Sequence, residues 1–298
     1  MTGISGNTKL AGIIGWPLDH TLSPAMHNAV YPVLGLDWVY VPLAVQDEIG
    51  LRRLVAAVRS LPFVGFNVTM PFKQAMLELC DEVAMTAKMA GAVNAVHCDG
   101  DKLVGYNTDG RGMLEALMED ASFNVAEKNV VLLGAGGAAG AAFVAFILGK
   151  ANSVTIVNRN PVRAEELLER LTGSLGATRA CVELYASAER AIREADLIVN
   201  ATSAGMAPGD PSPIPASWLH PGQVVLDMVY GLAEPTALVR EARTVGATAL
   251  DGLGMLVRQG ATCVDIWNSS KQTRTPRETM RDAALDELRR RNTAVQGA

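Results

Sequence analysis

The sequence predicts an α/β chain of two domains, with its closing helices packing back on the first. Three observations predict it. Short apolar runs rich in β-formers alternate with helix-length segments, the pattern of parallel sheets covered by helices on both faces. A glycine cluster, Gly134-Ala135-Gly136-Gly137, stands between one such run and an apolar stretch of helical length. The alternation stops after Asp251-Gly252-Leu253-Gly254, and the two helical segments that follow have no strand partner. A chain of 298 residues also suits two domains. The boundaries read as residues 1–109, completed by 254–298, for the first, and 110–253 for the second.

In the first domain, Lys9–Gly15 reads as a strand. Ser23 before Pro24 reads as a helix start, with the hydroxyl at the N-cap and proline at N1. Ala25, Met26, Ala29, Val30 and Val33 would form its buried face. Capping alone accounts for Ser23, but Thr21 and Ser23 also offer two hydroxyls that suit a carboxylate. Trp38–Val45 and Phe63–Thr69 are further strands, with a helix over Asp47–Ser60 between them. Pro71 is expected to open a helix and set Lys73 in its first turn, where a cation opposes the helix dipole. Such a conflict is expected at functional sites. Ala92–Cys98 and Lys102–Asn107 read as a hairpin across Asp99-Gly100, and a helix follows Thr108-Asp109-Gly110. Asp109 serves as an N-cap or as a site residue on this reading. Asn67, Thr69, Lys73, Asn94, Thr108 and Asp109 thus gather at strand ends and turns, where α/β proteins build their sites.

The second domain opens on Val130–Leu133, the glycine cluster, and an uncharged stretch to Gly149. Strand, glycine loop and helix form the phosphate-binding start of a Rossmann unit, with Ala139 at the close-packing position. A membrane span of about 20 residues is the bland alternative. Clustered glycines argue against it. The next strand, Ser153–Val157, ends in Asn158-Arg159-Asn160-Pro161 and carries no acid for a ribose 2′-hydroxyl. Arg159, with Arg163 one turn on, suits a 2′-phosphate, so the expected cofactor is NADP. Strands over Asp196–Thr202, Gln223–Val229 and Ala247–Leu250 follow, with helices over Pro161–Leu171 and Glu234–Gly246. The closing helices run from Met255 to Trp267 and from Pro276 to about Arg290, so Arg289, Arg290 and Arg291 read as a solvated, dipole-matched helix end.

Net charge is −5, with no basic stretch before the C-terminus, which argues against a nucleic-acid surface. Cys80, Cys98, Cys181 and Cys263 are dispersed, with no ligand spacing for zinc. No signal peptide is evident, so a reduced cytoplasmic protein without membrane attachment is expected.

Taken in order, these stretches resemble the shikimate dehydrogenase family and its shikimate/quinate relatives, from about Leu10 to Gln259. The resemblance rests on Thr21-Leu-Ser-Pro24, Asn67-Val-Thr-Met-Pro-Phe-Lys73, Gly91-Ala-Val-Asn94 and Gly105-Tyr-Asn-Thr-Asp109-Gly. It continues through the glycine cluster to Ala138, Asn158-Arg159, Asn200-Ala-Thr-Ser-Ala-Gly205, Asp227-Met-Val-Tyr230 and Asp251-Gly-Leu-Gly-Met-Leu-Val-Arg-Gln259. It implies NADPH-dependent, reversible reduction of 3-dehydroshikimate to shikimate, in the route to aromatic amino acids. Lys73 and Asp109 would be catalytic, with no metal. Thr21 and Ser23 would take the substrate carboxylate; Asn67, Thr69, Asn94, Thr108, Tyr230 and Gln259 would contact the rest of the substrate. The cofactor would lie on Gly134, Ala135, Gly136, Gly137, Ala138, Asn158, Arg159, Arg163, Thr202, Ser203, Met228 and Gly252. Threonine at 21, Arg258, Asn160 and Leu232 depart from the family pattern, the first two beside the substrate. Quinate or a shikimate analogue is therefore an alternative substrate, and a catalytically silent NADP(H) sensor is a third reading. A one-carbon folate dehydrogenase would share the two-domain plan but fits Thr69, Lys73 and Asp109 poorly. A homodimer is among the arrangements left open.

Overall fold

Strands buried on both faces read as unbroken apolar runs, and β1 (Lys9–Gly15) is one, its last five residues all buried. The computed structural model describes residues 3–207, 209–231, 234–269 and 273–296, so the departure at Leu232 lies outside the described residues. Helix α1 (Ser23–Val33) follows, but Leu22, not Ser23, is its N-cap. Its inward face is Met26, His27, Val30 and Tyr31. Ala25 and Ala29 are only half-buried, and Val33 is 61% exposed. The expected stripe was therefore displaced, because His27 and Tyr31 carry the packing that apolar counting assigned to Ala and Val. Strand β2 (Trp38–Ala44) pairs parallel with β1. Asp47 then caps α2 (Glu48–Val58) by accepting the Gly50 N–H at 2.7 Å.

Strand β3 (Phe63–Val68) is buried along its whole length and pairs parallel with β1. The helix expected at Pro71 does not form. Met70–Pro71 is a cis bond, the Phe72 N–H closes a turn on the Thr69 carbonyl at 3.0 Å, and only one 3-10 turn follows at Ala75–Glu78. Phe72 and Met76 bury themselves in the core on opposite sides of Lys73 in the chain, holding this segment as a compact turn. Lys73 therefore does not oppose a helix dipole. Next come β4 (Glu82–Val83), α3 (Met85–Ala90) and the hairpin of β5 (Ala95–Asp99) with β6 (Lys102–Tyr106). These strands make a mixed sheet of order β2-β1-β3-β5-β6-β4, antiparallel only at β3–β5 and β5–β6.

The second unit begins at α4 (Asp109–Ala121), so Asp109 is the first helical residue and not its N-cap. After it, β7 (Asn129–Leu133), α5 (Gly137–Leu148), β8 (Ser153–Val157) and α6 (Pro161–Leu171) follow the alternation in the sequence. The sequence offered no signal strong enough for β9 (Arg179–Glu183) and the short α7 (Glu189–Glu194), since the strand carries two charges and has no fully buried residue. Then come β10 (Leu197–Asn200), β11 (Val224–Asp227), α8 (Ala237–Thr244) and β12 (Thr248–Leu250). All pairs are parallel, in the order β12-β11-β10-β7-β8-β9, the doubly wound Rossmann arrangement.

Helix α9 (Leu253–Trp267) begins in the second unit and ends in the first, and α10 (Arg277–Gln296) packs on α1. The chain divides into Met1–Thr108 with Val257–Ala298, and Asp109–Leu256. Within the first unit, Trp267 donates its indole N–H to the Val96 carbonyl at 2.9 Å, pinning α9 to the sheet. Helix α10 continues past the expected stop near Arg290, so Arg289–Arg291 lie inside it and not at its end. Among the described residues, no helix is long and apolar enough to cross a membrane.

Candidate active site

In the first unit, the C-terminal end of β3, the segments flanking the β5–β6 hairpin and one face of α9 converge on a buried polar cluster. Asn67 is the penultimate residue of β3, Asn94 immediately precedes β5, and Thr108 follows β6. All three are buried, as is Gln259 on α9. Buried polar groups must find partners, and these find one another. The Asn94 amide nitrogen donates to Thr108 Oγ1 at 3.0 Å and to Gln259 Oε1 at 3.3 Å, while its oxygen accepts the Thr108 N–H at 2.8 Å. The Asn67 amide donates to the Asn94 carbonyl at 3.2 Å. The result is one connected network built from four of the residues singled out in the sequence.

Two further members were missed. Tyr40, on β2, donates its hydroxyl to Asn67 Oδ1 at 2.8 Å. Cys263 Sγ accepts from Asn67 Nδ2 at 3.1 Å and lies 3.4 Å from Thr108 Oγ1. Cys263 stands one helical turn after Gln259, and that spacing was a usable signal. Tyr40 sits mid-strand among apolar residues and gave none. His27 lies behind the cluster, fully buried and stacked on Tyr40 with ring centroids 4.2 Å apart. Its Nδ1 is 3.2 Å from the Tyr31 hydroxyl, whereas Nε2 has no hydrogen-bond partner among the described residues. Burial pushes its pKa down to about 3, so the ring is neutral at ordinary pH.

Thr21 and Ser23 are both buried at the start of α1. Thr21 Oγ1 accepts the Ser23 N–H at 3.3 Å, which leaves the Thr21 O–H as a donor, and Ser23 is not the N-cap of the helix. Thr69 anchors its N–H on the Ile14 carbonyl at 2.9 Å. Half-buried Lys73 is tethered through its own carbonyl, which accepts the Val93 N–H at 2.8 Å beside Asn94. The lysine is thus held by the backbone of the loop that supplies the network. Asp109 and Tyr230 belong to the second unit, the one buried at the head of α4, the other half-buried after β11.

In that second unit the glycine loop joins β7 to α5, whose N-cap is Gly136. Gly134 has φ +110°, and a Cβ there would lie 3.0 Å from Thr202 Cγ2 and 3.1 Å from the Ala201 carbonyl oxygen, so glycine is required. Gly137 and Ala138 open α5, where N–H groups and the dipole favour an anion. Thr202 is itself fixed by Asn200, which accepts its hydroxyl at 2.6 Å and donates to Asp227 at 2.9 Å. Asp227 also accepts the Thr236 hydroxyl and the Val229 N–H, which locks the chain leaving β11 at Met228. Burial raises the Asp227 pKa, its three hydrogen-bond donors pull against that rise, and the nearby Asp251 carboxylate adds to it. Gly252 meets this segment backbone to backbone, since a Cβ on it would stand 2.3 Å from the Met228 carbonyl oxygen. Ser203 is exposed on the loop after Thr202.

At the end of β8, Asn158 donates its amide to the Asn160 carbonyl at 2.8 Å, and Asn160 caps α6 through the Val162 N–H at 3.0 Å. Arg159 and Arg163 flank this helix start, both exposed and without an ion pair to the described residues. Two unpaired guanidiniums at a helix N-terminus are unfavourable alone and favourable around an anion. The glycine cradle and these two cations fit a dinucleotide that carries an additional phosphate. Among the described residues, no group of His, Cys, Asp and Glu could hold a metal.

Two family models match successive stretches of the chain. Residues 13–96 match the family described as "Shikimate dehydrogenase substrate binding domain", and residues 116–207 that described as "Shikimate / quinate 5-dehydrogenase". The chain is 43% identical over 289 residues to the shikimate dehydrogenase (NADP(+)) of Geobacter metallireducens, covering 96% of this chain and 99% of that one. A solved shikimate dehydrogenase in complex with NADP+ is 38% identical, with a TM-score of 0.86 over 96% of this chain and 98% of that one. The Thermus thermophilus shikimate 5-dehydrogenase, solved in complex with NADP(H) and shikimate, is 34% identical, with a TM-score of 0.82 over 94% and 99%.

Proposed function

The chain belongs to the shikimate/quinate dehydrogenase family, and on that premise we propose that it catalyses the NADP(H)-dependent, reversible reduction of 3-dehydroshikimate to shikimate. The observation that carries this reading is the buried Asn67–Asn94–Thr108–Gln259 network, with paired hydroxyls at Thr21 and Ser23 on the same unit. A ligand with one carboxylate and several ring hydroxyls suits that set of groups. Thr21 and Ser23 donate to the carboxylate. Asn67, Asn94, Thr108 and Gln259, already oriented by their mutual bonds, read the hydroxyls together with Thr69. Lys73 gives a proton to the ring oxygen during reduction and takes it back in the reverse direction. Asp109 holds the lysine and a ring hydroxyl, and Tyr230 completes the substrate contacts. Bound NADP(H) supplies or accepts the hydride. Gly134 to Ala138, Thr202, Ser203, Met228 and Gly252 hold that cofactor, with Asn158, Arg159 and Arg163 at its 2′-phosphate end.

The test is steady-state kinetics of the purified protein on 3-dehydroshikimate with NADPH, and on shikimate and quinate with NADP+. Efficient turnover of shikimate, weaker turnover of quinate and a preference for NADP(H) are expected. The Thr21 methyl crowds the extra hydroxyl of quinate, a contact typically worth about 1–3 kcal/mol. Absence of NADPH oxidation with 3-dehydroshikimate would overturn the reading.

A further inference from the structure

Arg291 stands apart from its two neighbours in the arginine run. Arg289 and Arg290 point outward with side chains about three-quarters exposed, at 76% and 78%, whereas that of Arg291 is only 31% exposed. It reaches from α10 to the loop before α1, where its terminal NH2 donates to the Thr21 carbonyl at 2.8 Å. Its Nε donates to Glu287 one turn earlier at 2.7 Å, which sets the plane of the guanidinium. The other end of the Thr21 turn is closed by the Thr21 N–H on the Leu18 carbonyl at 3.0 Å. Thr21 is therefore gripped at both its N–H and its C=O, and its hydroxyl is oriented in turn by the Ser23 N–H. Burial lowers the pKa of the adjacent His20, and the Arg291 charge lowers it further, so that charge is felt along the turn.

We propose that Arg291 is a positioning residue for the substrate carboxylate, holding the Thr21–Ser23 hydroxyl pair in its binding geometry through the Thr21 carbonyl and adding a positive charge behind it. The inference rests on the assignment of Thr21 and Ser23 to the carboxylate. It gives the end of the chain a part in substrate affinity and none in the chemical step. A hydrogen bond from a charged donor polarises the peptide it reaches, and the cation attracts an anionic ligand more than a neutral one. The effect is therefore specific to the carboxylate, which a general packing role is not.

The experiment compares the wild-type protein with Arg291→Gln and Arg291→Lys on shikimate and on its methyl ester. Arg291→Gln should raise KM for shikimate by about five- to twentyfold and leave kcat within about twofold, less than a direct charge-assisted contact carries because Arg291 acts through the Thr21 carbonyl. Arg291→Lys, which keeps the charge and a donor, should recover most of the affinity. On the ester, KM should be similar for all three proteins. An equal rise in KM for acid and ester would reduce Arg291 to a structural tie, and unchanged kinetics on the acid would remove it from the site. If the wild-type protein turns over neither substrate, the assignment of function falls first and this inference with it. Wild-type turnover with an indifferent variant defeats the inference alone.

Discussion

A positioned acid or base is worth about 10²–10⁴-fold in rate, and that sets the effect expected at Lys73. Lys73→Ala should cut kcat by about that factor and leave Michaelis constants within several-fold, because the carboxylate and hydroxyl contacts stay. On the proposed roles, Asp109→Asn should be comparably damaging, and the double variant little worse than either single one. A near-normal kcat with a raised KM in Lys73→Ala would make it a binding residue instead. His27 carries a different kind of prediction. Its pKa falls from 6.5 in the unfolded chain to about 3 in the folded protein, so the fold prefers the neutral ring. The stabilisation is complete above pH 6.5 and is lost as pH falls towards 3, at most on the order of 5 kcal/mol. His27→Phe keeps the stack on Tyr40 and should flatten that limb of a denaturant-unfolding series between pH 7 and 4. An unchanged pH slope in this variant would show that other groups set the acid limit.

Among the elements, α6 carries the cofactor prediction. Arg159→Ala removes one of two cations at its start and should weaken NADPH by about ten- to a hundredfold, the value of a charge-assisted phosphate contact. NADH kinetics should barely change. Equal losses with both cofactors would place Arg159 somewhere other than the 2′-phosphate. Most elements were legible because period and punctuation agreed: β7 and α5 meet at the glycines, and Asn160-Pro161 starts α6 as the sequence implies. Legibility failed where one proline was asked to decide. Pro24 and Pro71 both looked like helix openers, yet Pro71 follows a cis bond and leads into turns. Burial of Phe72 and Met76 sets this segment, and that tertiary context is absent from a local reading. The cluster was half legible for a related reason. Asn67, Asn94, Thr108 and Gln259 announced themselves as polar residues at strand ends or in motifs, whereas Tyr40 and Cys263 entered through packing.

At the scale of the molecule, order along the chain and order in space diverge. The second sheet keeps the doubly wound order, and its strands, apart from β9, could be read in sequence. The first sheet mixes directions and depends on α9 and α10 for its completion. Met280 and Ala284 of α10 are fully buried, as are Met26 and Val30 of α1. Each large apolar side chain so buried contributes roughly 1.5–3 kcal/mol. Deleting the chain from Arg277 onward should therefore destabilise the first unit by several kcal/mol, with loss of shikimate binding by calorimetry. NADPH binding to the second unit should survive, as its sheet is complete without α10. Simultaneous loss of both would mean that the second unit cannot fold unless the first does.

That interrupted first unit has a consequence for biogenesis. On the ribosome, the strands up to Thr108 emerge early and then wait for α9 and α10, while the entire second unit is made. At roughly 5–20 residues per second, the delay is on the order of ten seconds. During it, α1 has no α10 to pack on and the first unit stays incomplete. The nascent Rossmann unit, by contrast, has all its strands by Leu250 and can close before α10 has been made.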